Sequence, residues 1–173
     1  MRETMYIGNA AAFAFDRTDV GGPVVDSLIK SGKPAALFYE TLAERTLAIA
    51  QRERRSSPEK GYAPLLAEMV DPVLRRCIEG GVPIIGNFGA ANPMGAARVL
   101  HDLAREKGIV GLRVAVIDGD DLRESIRGMQ TTQWSKEEPL DLANTELLAA
   151  NVYMGAQPIV EALEQDPHIG PEG

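Results

Sequence analysis

Four apolar runs that each lead into polar or glycine-rich residues constrain this chain more than any other feature. They are "TMYI" at residues 4–7, which leads into "GNAAAF", then "AALFYE" at 35–40, "VPIIGN" at 82–87 and "LRVAVID" at 112–118. None alternates strictly between apolar and polar, so each reads as a strand buried on both faces. Helix-period segments separate them. One covers about 23–30 and is closed by Ser31 and Gly32. A second covers about 42–54, with Leu42, Leu47, Ile49 and Ala50 as its apolar positions. A third covers about 64–79 and is interrupted at Asp71-Pro72, because proline lacks the N–H and disfavours helix in the residue before it. A fourth covers about 93–107, with Asn92 as N-cap, Pro93 as first residue and Gly108 at the end. A last helical region is expected over about 141–164, broken near 155–158.

Buried strands alternating with amphipathic helices predict an α/β fold: a mostly parallel, Rossmann-like sheet of four or more strands with helices on both faces. The 173 residues suit a single domain over 1–173. In such a sheet ligands collect beyond the carboxyl ends of the strands, so the polar residues ending each run are the candidates.

Composition narrows the partners. The net charge is −7, which disfavours a general binder of nucleic-acid backbones. The short basic run "RERR" at 52–55 reads as a solvated helix end. Cys77 is the single cysteine, so no intrachain disulfide forms, which fits a cytoplasmic setting. No run approaches about 18 consecutive apolar residues, and no leader peptide is visible, so no membrane association is expected. With only His101 and His168 present, a Ser-His-Asp triad or a histidine-rich zinc site has little material.

At the strand ends the candidates are Asn9 and Asp16 after the first run, Glu40 after the second, and Asn87 after the third. In "GNFGAANP" the backbone can approach a ligand closely at Gly89, and the helix opened by Asn92-Pro93 offers N–H groups to a phosphate or carboxylate. Equally, Asn92 caps that helix and the glycines make the turn. Glu40 either serves as a general base or accepts loop N–H bonds. Asp118 and Asp120, in "VIDGDD", form either a site for a hard cation such as Mg²⁺ or a solvated acidic turn.

The blocks "YIGNAAAFAFDR", "FYETLAERTLAIAQRERRSSPEKGY", "IIGNFGAANPMGAA", "LRVAVIDGDDL" and "ANVYMGAQPIVEAL" stand in this order over about residues 6–163. So ordered, the chain resembles the acyclic terpene utilisation (AtuA-like) family. The resemblance raises the site readings of Asp16, Glu40, Asn87, Asn92, Asp118 and Asp120, and adds Asn151 and Tyr153. It implies a role in the catabolism of branched acyclic terpenoids such as citronellol and geraniol, whose intermediates travel as acyl-CoA thioesters. Members of the family continue after "PIVEAL" into another strand, whereas this sequence reads "EQDPHIGPEG". The resemblance therefore implies a truncated or naturally short form, or a second chain that supplies the remainder.

Three functions follow as expectations. The first is an enzyme or enzyme part, of lyase or hydrolase type, acting on a small carboxylate or acyl-CoA. Glu40 and Asp118 would be its acid/base groups, and Asn9, Asp16, Asn87, Gly89, Asn92, Asn151 and Tyr153 its binding residues. The second is a non-catalytic subunit that completes a partner, or a homo-oligomer. The third is a metal-assisted hydrolase or lyase using Asp118 and Asp120.

Overall fold

The computed structural model describes residues 4–134, 138–165 and 168–172. Strands β1 (Tyr6–Asn9), β2 (Ala35–Tyr39) and β3 (Ile84–Gly86) pair in parallel, with Ile7 opposite Ala36 and Phe38 opposite Ile85. Helix α1 (Gly21–Ser31) joins β1 to β2. Helices α2 (Glu44–Ser56), α3 (Leu66–Val70) and α4 (Leu74–Gly80) lie between β2 and β3. Helix α5 (Pro93–Glu106) follows β3, and α6 (Gln157–Leu163) comes late in the chain. The break between α3 and α4 falls at Asp71-Pro72, as the proline predicts. None of the helices among the described residues is long and apolar enough to cross a membrane.

The expected architecture is corrected in three respects. Only three of the four expected strands form, so a Rossmann-like sheet of four or more such strands is not what these runs build. Residues 112–118 are not a strand. The place beside β3 is taken instead by a C-terminal segment, β4 (Ile169–Glu172), which pairs through an irregular register. Residues 112–118 stay attached through Leu112 and Val114, which pack on the core, and through bonds such as that from His168 N to Arg113 O. The third correction concerns the helices. The strand order is sequential, and right-handed crossovers along a sheet that never reverses place successive helices on one face. Accordingly α1, α3, α4 and α5 share a core with one side of the sheet: Val25, Leu28, Leu37, Tyr39, Met69, Leu74, Ile84 and Leu100 are all buried together. Gly8 permits this closeness, because a Cβ there would overlap Val24 and Leu28 of α1. The opposite side presents Ile7, which is 71% exposed, with Phe38 and Ile85 only partly buried.

The final helical region is also shorter than expected. Residues 141–155 are not helical. Asp141 accepts hydrogen bonds from the backbone N and side chain of Asn144, and Thr145 donates to the Asp141 carbonyl. Such local side-chain bonds compete with the helix ladder.

Candidate functional site

Backbone pairing between β2 and β3 stops at Tyr39 and Gly86, and side chains continue it. The Asn87 Nδ2 amide donates to Glu40 Oε1 at 2.8 Å, and the Leu42 N–H donates to the same oxygen at 3.0 Å. The Asn87 Oδ1 atom accepts from Thr41 N at 2.6 Å and Thr41 Oγ1 at 3.1 Å. Asn87 is thus fixed at both ends of its amide. Glu40 keeps Oε2 without a hydrogen-bond partner among the described residues. The β1 end joins through backbone bonds from Ala10 N to Phe38 O and from Glu40 N to Ala11 O. Of the sequence candidates, Glu40 and Asn87 are therefore brought into direct contact. Thr41, only 3% exposed, was not singled out, although its place directly after Glu40 was the available signal.

The turn that follows β3 carries the strain of this edge. Ala90 has φ 47°, the left-handed region, and is the sole non-glycine residue with positive φ among the described residues. Ala90, Thr41, Phe15 and Thr46 help line a cleft with about 20 Å³ of room, enough for about one water. Thr46 sets the start of α2 beside it: its Oγ1 accepts from Ala43 N at 2.7 Å and donates to Ala43 O at 2.9 Å.

Asn92 is spent on structure. It is 3% exposed; its Oδ1 accepts from Gly95 N at 3.0 Å, and its Nδ2 donates to Pro58 O at 3.2 Å and Lys60 O at 2.8 Å. Helix capping and a tie to the 57–63 loop use its oxygen and both of its N–H groups. Asp16 closes its own loop, accepting from Ala12 N at 2.8 Å. Asn9 is exposed, Gly89 is buried in the turn, and Tyr153 is 93% exposed.

The aspartates lie elsewhere. Because 112–118 is not a strand, Asp118 does not end one; it is exposed. Asp120 Oδ2 accepts from Asn151 Nδ2 at 2.7 Å, and Asp121 bridges to Asn151 in antiparallel fashion. Burial pushes the Asp121 carboxyl up. Hydrogen bonds from the Arg123 side chain and backbone outweigh that, and hold it below its ordinary value. Among the described residues no group of three or more His, Cys, Asp and Glu side chains is placed to hold a metal ion. Gln51 of α2, 1% exposed, reaches toward Asp121. Sequence reading missed it, since "QRERR" looks like a solvated face. Cys77 is buried in the core, where burial pushes its thiol up to about 12.

A family model described as "Acyclic terpene utilisation family protein AtuA" matches residues 5–169. No curated protein and no solved structure matches the chain.

Proposed function

We propose, from the premise that the chain belongs to the acyclic terpene utilisation family, that it acts as an enzyme or enzyme part on a small carboxylate or acyl-CoA intermediate of branched terpenoid catabolism. Glu40 is its acid/base group and Asn87 positions it. The observation that supports this is the bond from Asn87 Nδ2 to Glu40 Oε1 at 2.8 Å. It directs one carboxylate oxygen into the network and leaves Oε2 to exchange a proton with a substrate carbon or an attacking water. Those two outcomes correspond to lyase and hydrolase chemistry. The α5 N-terminus lies at the end of the same turn, and its dipole favours the negative charge that either reaction develops. Asp118 has no part in this reading, because it is not at the strand edge.

The test is binding and turnover of a branched acyclic acyl-CoA thioester by the purified chain. Wild type should show a thermal shift. Glu40→Gln should retain it while losing turnover by 10²-fold or more, about the contribution of one acid/base group. Asn87→Ala should weaken both. No shift in wild type, or equal turnover in Glu40→Gln, refutes the assignment.

One observation favours a second reading, in which the site is completed by another copy or another chain. Ligand pockets are about 300–1,000 Å³, and the cleft beside Thr41 holds about 20 Å³. Native mass and co-purification decide this: a strict monomer that binds the thioester alone rules the composite site out.

A further inference from the structure

The amides of Gln51 and Asn151 carry chemistry that the Glu40–Asn87 network does not use. Gln51 is 1% exposed; its Nε2 faces Asp121 Oδ2 at 3.5 Å, and its Oε1 is buried with no partner among the described residues. Asn151 repeats the arrangement: Nδ2 donates to Asp120 Oδ2 at 2.7 Å, and Oδ1 is buried with no partner among the described residues. Asp121 and Asn151 are bridge partners, and the two amides reach the neighbouring carboxylates Asp121 and Asp120, so both lie beside the 120–121 turn that faces α2. Rotating either amide would turn its oxygen onto a carboxylate, so the orientations are fixed. Two buried carbonyl oxygens are therefore held facing no donor, a costly state that ordinarily signals an ion or water.

The surroundings select the kind of ligand. Residues 118–123 hold three carboxylates against one guanidinium. Arg123 occupies both oxygens of Asp121, whereas Asp120 Oδ1 makes no hydrogen bond among the described residues. The excess of carboxylates over the one guanidinium, which is already paired, favours a cation over an anion here. Carboxylate and amide oxygens together are the ligands of a hard, geometrically tolerant cation. We propose that Gln51 Oε1, Asn151 Oδ1 and Asp120 Oδ1 hold a divalent cation of calcium type, with water completing its shell. The ion clips residues 120–123 and Asn151 onto α2. Its ligand set differs from a simple aspartate pair, because two neutral amide oxygens supply most of the protein ligands and Asp118 takes no part.

The experiment is thermal unfolding and calorimetric titration of the full chain with CaCl₂, with MgCl₂ and NaCl at matched ionic strength. A site filled to about 100 Kd should raise Tm by about 5 °C or more for a chain of this size. Calcium should act more strongly than magnesium, and NaCl should have no effect. Gln51→Leu should fold, melt no lower than wild type without calcium because the orphaned oxygen is gone, and lose at least half of the calcium-induced rise. If Gln51→Leu fails to fold, Asp120→Asn, at a half-exposed position, serves instead and should bind calcium at least 10-fold more weakly. No rise in wild type, an equal rise with magnesium, or an equal rise in the variants overturns the proposal and leaves a buried water only.

Discussion

Replacing Asn92 with alanine tests the division between structure and binding at the turn after β3. The side chain is 3% exposed and makes three hydrogen bonds: it caps α5 through Gly95 N, and it ties down the carbonyls of Pro58 and Lys60. Loss of the cap costs about 1 kcal/mol. The two backbone carbonyls belong to exposed residues and regain water, so each lost bond is worth about 0.5–1 kcal/mol. The sum is about 2–3 kcal/mol, which lowers Tm by about 5–10 °C in a chain of this size. Asn92→Ser keeps a capping oxygen and should recover about 1 kcal/mol. Urea unfolding followed by circular dichroism measures all three proteins. In the folded fraction Asn92→Ala should bind a branched acyl-CoA as wild type does, because the side chain is buried and both of its N–H groups are already committed to backbone carbonyls. An Asn92→Ala variant within about 0.5 kcal/mol of wild type, or one that is stable but loses ligand binding, refutes this account.

The neighbouring glycine extends the test. A Cβ on Gly95 would lie 2.5 Å from Asn92 Nδ2, so Gly95→Ala should lower the unfolding free energy despite an intrinsic helix gain of about 1 kcal/mol. A stabilised variant would show that Asn92 is not rigidly held. Ala90→Gly relieves a left-handed alanine, worth about 1–2 kcal/mol, against about 0.4–1 kcal/mol of added unfolded-state entropy. Chemical denaturation should find it as stable as wild type or up to about 1.5 kcal/mol more so, and a clear loss contradicts the strain. Alkaline pH should destabilise the fold. Cys77 ionises near its ordinary 9.0 when unfolded but only at about 12 when folded, so the unfolded state loses its proton first and stability falls as pH rises from 9 toward 12. At pH 10 this amounts to about 1 kcal/mol. Cys77→Ala should flatten that part of the profile, although burial also raises Tyr39 and leaves a residual slope above pH 10. Ellman's reagent should label Cys77 only under unfolding conditions.

Some of this was legible in the sequence for reasons that the structure makes plain. The α5 start could be read because Asn92-Pro93 encodes both cap and first turn. The α3–α4 break could be read because proline acts locally. Glu40 and Asn87 were both identified as strand-end residues, although the bond between them needed the β2–β3 register. The failures were non-local. An apolar run such as 112–118 states that it prefers burial, not which neighbour wins the edge of β3. The side on which helices lie depends on strand order, which no single segment encodes. Gln51 was invisible because the residues that enclose it arrive about 70 positions later in sequence.

The sequential strand order has a consequence in time. Each strand pairs with the one made just before it, so no strand must wait for a later segment to be inserted between it and its neighbour. The sheet can grow in the direction of synthesis, one strand–helix unit at a time, with β2 docking on β1 before the turn at Ala90 has left the ribosome. The fold lacks the central strand of a reversing sheet, around which both halves must assemble. A partial chain can therefore already hold a shortened version of the finished sheet, with an edge open where the next unit arrives.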